Sequence, residues 1–268
     1  MRNGVEVPQL GFGVFQIAPD ETVATVTHAL GTGHRHIDTA AAYHNEAGVG
    51  AAIEAAGLER SDVFITTKCW NRDHGYEGAR QALARSLDRL GTSYVDLYLI
   101  HWPVPSRDLY VETWEALIAL QRDGLARAIG VSNFEPAHLE RIIAETGVTP
   151  AVNQIELHPR LQQRRLWSLH RALGIATASW SPLARGRVLD EPVLKAIAHA
   201  RGRSVAQVVI RWHLQLGAIV IPRSASPERI AENRDVFDFR LSEAEMAGIG
   251  GLDADERIGP HPEMFDRH

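Results

Sequence analysis

Cysteine is nearly missing: the 268 residues contain one, Cys69. A single thiol builds neither a disulfide framework nor a cysteine-based structural zinc site. Its isolation fits a reducing, cytoplasmic compartment. Long apolar runs are missing too. The longest apolar-rich stretches, such as Val205 to Ile210, fall far short of a bilayer crossing. Met1-Arg2-Asn3-Gly4 lacks the apolar core of a signal peptide. There is no excess of basic charge: 28 Lys+Arg against 33 Asp+Glu leave −5 with histidine neutral. Phosphate backbones require a basic face, so nucleic acid is not an expected partner, and neither is a membrane. No linker or low-complexity block breaks the chain, so residues 1–268 are expected to form one domain.

Apolar residues at 45% and charged residues at 23% are ordinary for a globular chain. Short strand-like runs alternate with longer helical patterns. The strand candidates are Leu10–Phe15, Arg35–Asp38, Val63–Lys68, Val95–His101, Ala128–Ser132, Ala151–Gln154, Ile175–Trp180 and Ala218–Ile221. Pro19-Asp20-Glu21 opens the first helix. Ala79–Leu90 carries Leu83, Leu87 and Leu90 on one face and stops at Gly91. Val193–Ala200 and Ser204–Leu216 both lie before the last strand, the second led by a Ser N-cap. Strand ends recur about every 30 residues, the length of a βαβ unit. Eight such units predict a (β/α)₈ barrel, with an open doubly wound sheet as the alternative. Gly11-Phe12-Gly13 begins like a dinucleotide fingerprint, but Gln16 occupies the third glycine position and no helix follows directly. These glycines read instead as a barrel strand that needs close backbone approach.

Barrel chemistry sits at the C-terminal strand ends. There the sequence places Asp38, Lys68, His101, Ser132-Asn133, Gln154, Trp180-Ser181 and Arg223-Ser224, with Tyr43 five residues after Asp38. The ionisable four form an acid–base set. Asp38 would hold the charge on Lys68. Lys68 would lower the Tyr43 pKa, since a neighbouring cation favours phenolate. Tyr43 would protonate a carbonyl oxygen, and His101 would orient that oxygen. With a hydride donor this is a reduction site. Phe15, Trp70 and Trp102 follow or end strands on the same rim and are expected to wall a substrate pocket, together with His101.

Gly33-His34-Arg35-His36-Ile37-Asp38-Thr39-Ala40, with Tyr43, Glu46 and Gly50, resembles the first signature of the aldo-keto reductase family. Val131-Ser132-Asn133-Phe134, Asn153-Gln154-Ile155-Glu156-Leu157-His158-Pro159 and Ile221-Pro222-Arg223-Ser224, followed by Arg229 and Glu232-Asn233, resemble further motifs in the same order. The chain is most similar to compact bacterial members of the 2,5-diketo-D-gluconic acid reductase type, as Ser179-Trp180-Ser181-Pro182-Leu183 supports. The resemblance implies NADPH-dependent reduction of small aldehydes or ketones, dicarbonyls and keto sugar acids among them, by a monomer. It implies Tyr43 as proton donor, tuned by Lys68 and Asp38, with His101 orienting the carbonyl. Ser132, Asn133 and Gln154 would hold the nicotinamide carboxamide, and Trp180 would stack on its ring. Ser181 and Leu183 would line the pyrophosphate. Arg223, Ser224, Arg229, Glu232 and Asn233 would hold the 2′-phosphate and adenine. A tail from about residue 253 would fold over the rim. His34 stands where the family usually has Phe or Tyr, which implies a packing effect only. Arg223 stands where it usually has Lys, a planar fork in place of a point charge.

Other readings bring their own expectations. A lyase would form a Schiff base on Lys68 and need no cofactor. A redox sensor would bind NADPH without turnover. A glycosidase would need two strand-end carboxylates, and only Asp38 and Glu156 offer themselves, with Glu156 read as past its strand. Cys69 reads as a small buried residue and Arg201-Gly202-Arg203 as a solvated turn. Glu156 and His158 stand two apart with no third ligand, so no metal is expected.

Overall fold

Short strands and amphipathic helices alternate through the whole chain, and the strand pairing closes on itself. The computed structural model describes Met1 and residues 4–267. Eight strands pair in parallel in chain order: β1 Phe12–Gly13, β2 His36–Asp38, β3 Phe64–Cys69, β4 Val95–Ile100, β5 Ala126–Ser132, β6 Val152–Glu156, β7 Ala176–Trp180 and β8 Ile219–Ile221. Leu10 bridges to Val220, and the Gly11 and Gly13 amides donate to Val220 O and Pro222 O at 2.9 and 3.0 Å, joining β8 back to β1. The fold is a single-domain (β/α)₈ barrel, as the spacing of the sequence predicts. Between strands lie α1 Pro19–Gly31, α2 Glu46–Ala55, α3 Tyr76–Leu90, α4 Tyr110–Arg122, α5 Pro136–Thr146, α6 Arg164–Leu173, α7 Pro192–Arg201 and α8 Val205–Leu216, with α9 Pro227–Arg234 and α10 Glu243–Gly250 after β8. No helix among the described residues is long and apolar enough to cross a membrane.

Local signals set the helix ends. Gly91 ends α3 in the left-handed region at φ 63°. Ser204 caps α8 by accepting from the Gln207 amide, and the Gln207 side chain accepts from the Ser204 amide in return. Strand bounds shift from expectation by one or two residues, most tellingly in β1 and β6. Of Leu10–Phe15, Phe12–Gly13 forms the ladder to β2, with Leu10 as a single bridge to Val220 and the Val14 amide donating to Asp38 O. β6 runs on to Glu156, which pairs with Trp180 of β7, so Glu156 is a strand residue and not a loop acid.

The strand period of two sorts the side chains into an inner and an outer set. Phe64, Leu97, Leu99, Ala128, Val152, Ala178, Ile219 and Ile221 form one buried cluster, and Val5 and Val7 pack against it from the chain's start. Their odd neighbours Ile37, Ile65, Ile100, Ile129, Val131 and Ile155 join the larger cluster shared with the helices. Two residues further along each inner row stand the rim residues: Phe64-Thr66-Lys68, Leu97-Leu99-His101, Ala128-Gly130-Ser132, Val152-Gln154-Glu156 and Ala178-Trp180. The alternation that buries the barrel's core therefore delivers the polar side chains to one mouth. Gly11 lies in such an inner row. A Cβ there would stand 2.5 Å from Ile221 Cδ1, so β1 can close on β8 only without a side chain at this position.

Candidate active site

Lys68 is fully buried, and its Nζ donates to Asp38 Oδ1 at 2.6 Å and to Thr39 O at 2.9 Å. Gln154 Nε2 donates to the other oxygen, Asp38 Oδ2, at 2.7 Å. The carboxylate thus links the lysine to a β6 amide on the far side of the mouth. Tyr43 sits in the short helical turn Ala41–Tyr43 that follows β2. The Lys68 ammonium lies 5.1 Å from its ring centroid and interacts with its hydroxyl. That turn is held by a buried asparagine: Asn45 Nδ2 donates to Val14 O at 2.9 Å, and Thr39 Oγ1 donates to Asn45 Oδ1 at 2.9 Å. Glu46, also buried, accepts from Thr67 Oγ1 and Arg89 Nε at 2.5 and 2.7 Å and pins the start of α2. Asn45, Thr39 and Thr67 carry no signal in the sequence that marks them as supports.

The electrostatics correct one expectation. Burial dominates at Tyr43 and raises its pKa; Lys68 lowers it and Asp38 raises it further, and the net shift is upward. Tyr43 is therefore held as a neutral phenol, with Lys68 limiting the cost of losing the proton. Burial alone would disfavour the Lys68 ammonium, but Asp38 and then Tyr43 outweigh it and raise its pKa. His101 is pushed well below its ordinary value by burial, then by Lys68 and His74, so it is a neutral imidazole. Its ring meets Tyr43 edge-on at 5.6 Å and Trp70 at 5.1 Å. Phe15 lies 5.0 Å from the Tyr43 ring. Burial drives the Cys69 thiol up to about 12, which leaves it inert.

Across the mouth, Ser132 Oγ donates to Gln154 O at 2.9 Å, and Asn133 Nδ2 donates to Ser132 Oγ and His101 O, both at 3.0 Å. Trp180 Nε1 donates to Asn133 Oδ1 at 2.8 Å. Gln154 Oε1 has no protein donor among the described residues, so an acceptor stands ready beside a preordered hydroxyl and amide. Ser181 and Arg185 hold positive φ, 50° and 53°, and bring the loop after β7 along the cleft. Arg223 Nη2 donates to Gln16 O at 2.7 Å and spans from the end of β8 to the β1 loop. Arg229 has no carboxylate partner among the described residues.

These parts share one cleft of about 1240 Å³. It is lined by Phe15, Asp38, Tyr43, Trp70, His101, Trp102, Ser132, Asn133, Gln154, Trp180, Ser181, Leu183, Arg223, Ser224, Arg229, Glu232 and Asn233. Lys68 lies beneath it, behind Asp38 and Tyr43. The cleft also takes in Arg72, which sequence reasoning did not single out, and Pro260, Phe265 and Arg267 of the tail expected over the rim. Phe265 stacks on Trp102 with centroids 4.3 Å apart and meets Trp70 at 6.3 Å. Its only sequence signal is an aromatic residue in a Pro- and Gly-containing end segment.

Residues 9–254 match the aldo/keto reductase family. The chain belongs to that family. It is an NAD(P)H-dependent oxidoreductase. The chain is 53% identical over 266 residues to an aldo-keto reductase of Mycobacterium sp. strain KMS, covering 99% of this chain and 96% of the relative. It is 51% identical over 267 residues to the methylglyoxal reductase DkgA of Escherichia coli K12, again covering 99% and 96%. Among solved structures, a mutant of Gox0644 in complex with NADPH superposes with a TM-score of 0.95 at 48% identity, covering 98% of this chain and 96% of that one.

Proposed function

We propose that this reductase converts small aldehydes and ketones to alcohols with NADPH, and that Tyr43 delivers the proton. The buried Lys68–Asp38 pair beneath Tyr43 carries this reading, because no structural need explains an ion pair at the floor of an open cleft. Bound NADPH supplies the hydride. Ser132, Asn133 and Gln154 would hold its carboxamide, and Trp180, fixed by Asn133, would offer the face on which its ring rests. Tyr43, kept neutral by burial, gives its proton to the carbonyl oxygen. Lys68 stabilises the phenolate as it forms, and Asp38 keeps Lys68 charged and aimed. His101 is neutral and offers one N–H to the same oxygen, which fixes the carbonyl's orientation without repelling Lys68. Phe15, Trp70, Trp102 and Phe265 supply apolar walls suited to a small carbonyl such as a dicarbonyl.

Turnover of NADPH against methylglyoxal, an aromatic aldehyde and a keto sugar acid tests this, run beside Tyr43→Phe. The variant is expected to lose about 10²–10⁴-fold in kcat, the reach of general acid catalysis, while its NADPH Kd changes little. Undiminished turnover in Tyr43→Phe would remove Tyr43 from the role.

Arg229, without a carboxylate partner among the described residues, supplies a cation at the far end of the cleft, where a 2′-phosphate would be held. Arg229→Ala is expected to weaken NADPH by about 10–100-fold, the value of a charge-assisted hydrogen bond, and NADH by less than about twofold. Titration of both nucleotides by fluorescence checks this. Equal losses would place Arg229 away from the phosphate.

A further inference from the structure

The chain's last segment is held in two different ways. Residues 249–257 are tied to the loop after β6. Gln162 Nε2 donates to Ile249 O and Gly250 O, both at 3.1 Å, and its amide donates to Asp253 Oδ1 at 3.0 Å. Arg160 pairs with Glu256 at 2.6 Å. Residues 260–267 touch the barrel more sparsely, through Phe265 on Trp102, Glu263 near His138 at 3.3 Å, and Asn71 Nδ2 donating to Arg267 O at 2.7 Å. Between these two stretches sits Glu156, the last residue of β6 and fully buried.

Glu156 receives the tail directly. Its Oε1 accepts the Ile258 amide at 2.7 Å and its Oε2 the Gly259 amide at 3.0 Å. His158 Nε2 donates to Oε1 at 3.0 Å. The two neighbours that the sequence offers as a weak metal pair are thus engaged with each other and with the tail. Burial opposes the carboxylate, but His158 and the two amides outweigh burial and keep its pKa below the ordinary range. Glu156 also pairs across the sheet with Trp180, the residue assigned to the nicotinamide face. Gly259 closes this contact. A Cβ on it would stand 2.4 Å from Trp180 Cη2 and 2.9 Å from Glu156 Oε2. Only glycine lets the tail lie flat on the indole edge.

We propose that Glu156 is a positioning residue that clamps the C-terminal tail against Trp180 and so sets the height of the Phe265 roof over the substrate. The inference rests on the carbonyl-reductase reading of the same cleft. Residues 260–267 have few bonds of their own, so the two amides at 258 and 259 determine where the aromatic arm starts. Without the clamp the roof lifts, and a small substrate loses its apolar cover. A bulky carbonyl loses nothing, since it must displace the roof to bind. Glu156 touches neither reacting atoms nor the carboxamide set, so NADPH affinity is independent of it.

Two variants test this from opposite sides. E156A removes the acceptors, and G259A lifts the tail by steric contact with the Trp180 edge. Hydrogen exchange at the Ile258 and Gly259 amides is expected to rise at least about tenfold in E156A, because a carboxylate bond protects both. KM for methylglyoxal is expected to rise about tenfold in both variants with kcat within about threefold, and NADPH Kd to stay within about twofold in E156A. KM for a bulky aromatic aldehyde should stay level or fall. If E156A loses its cooperative thermal transition, G259A alone carries the kinetic comparison. Wild-type exchange rates in E156A, an unchanged KM ratio between the two aldehydes in G259A, or a parallel loss of NADPH affinity in E156A would each overturn the clamp. A wild type that reduces no carbonyl would instead refute the reductase reading, and the exchange measurement would still decide whether Glu156 holds the tail.

Discussion

Lys68→Met is expected to cost about 3–5 kcal/mol of folding stability and to abolish turnover in the oxidation direction. Removing one partner of a buried pair leaves an uncompensated charge, here Asp38, nearly buried at the floor of the cleft. The same change removes the group that pulls the Tyr43 pKa down. Burial then acts on Tyr43 with less opposition, and its pKa rises further. Oxidation of an alcohol needs the phenolate as base, so it moves to higher pH or disappears. Reduction slows as well, because the phenolate that forms as the proton leaves has lost its nearest cation. The double variant Lys68→Met/Asp38→Asn separates the two effects. Neutralising both partners removes the buried charge, so stability returns to within about 1–2 kcal/mol of wild type while activity stays lost. Urea unfolding and pH–rate profiles of both variants check this. A Lys68→Met protein that is both stable and active, with a wild-type pH profile, would show that the pair neither tunes Tyr43 nor matters to the fold.

The second large effect is acid sensitivity. Burial lowers His34 and His170 from 6.5 to about 4 and His213 to about 3. A histidine whose folded pKa is depressed costs nothing above pH 6.5, where both states are neutral. Below 6.5 the unfolded chain binds the proton and the folded chain does not, so stability falls until the folded pKa is reached. Each of the three therefore removes about 3 kcal/mol by pH 4, and together they approach the whole stability of a typical domain. Unfolding is expected to take up about three protons at these histidines between pH 6 and 5, and further protons at His36, His101 and His138, which burial also depresses, all above the range where carboxylates titrate. His34 allows a direct comparison. It packs on Phe12 with centroids 5.5 Å apart in a site that burial keeps apolar. His34→Phe should recover about 3 kcal/mol at pH 4 and little at pH 7.5. Urea midpoints that stay flat from pH 7 to 5 would contradict the depressed pKa values.

The barrel is legible in the sequence because two periodicities repeat there: short apolar runs of period two and helical patterns closed by glycine or opened by serine. The rim residues are legible for the same reason, since each stands two positions past a buried inner-row residue. Boundaries are less so. Glu156 reads as a loop acid because a carboxylate at the end of an inner row is unfavourable unless something pairs with it, and its partners, Ile258 and Gly259, lie about 100 residues away. The direction of the Tyr43 pKa shift escapes the sequence for a related reason. The neighbouring cation is visible from strand spacing, but the burial that outweighs it depends on how the turn Ala41–Tyr43 packs under Phe15 and His101. The supports of that turn, Asn45 with Thr39, are ordinary polar residues whose bonds exist only once β1, β2 and β3 are together. Phe265 falls in a tail without periodicity, so nothing local assigns it to the cleft.

Hydride and proton are proposed to meet one carbonyl above Tyr43, and isotope transfer follows both. Wild type and Tyr43→Phe would be incubated with methylglyoxal and NADPH deuterated at the nicotinamide C4, and the product alcohol analysed by mass spectrometry and NMR. The expected result is deuterium on the former carbonyl carbon, formed rapidly by wild type and at least about a hundredfold more slowly by Tyr43→Phe. An unlabelled product, or label appearing at equal rates in both proteins, would contradict the mechanism.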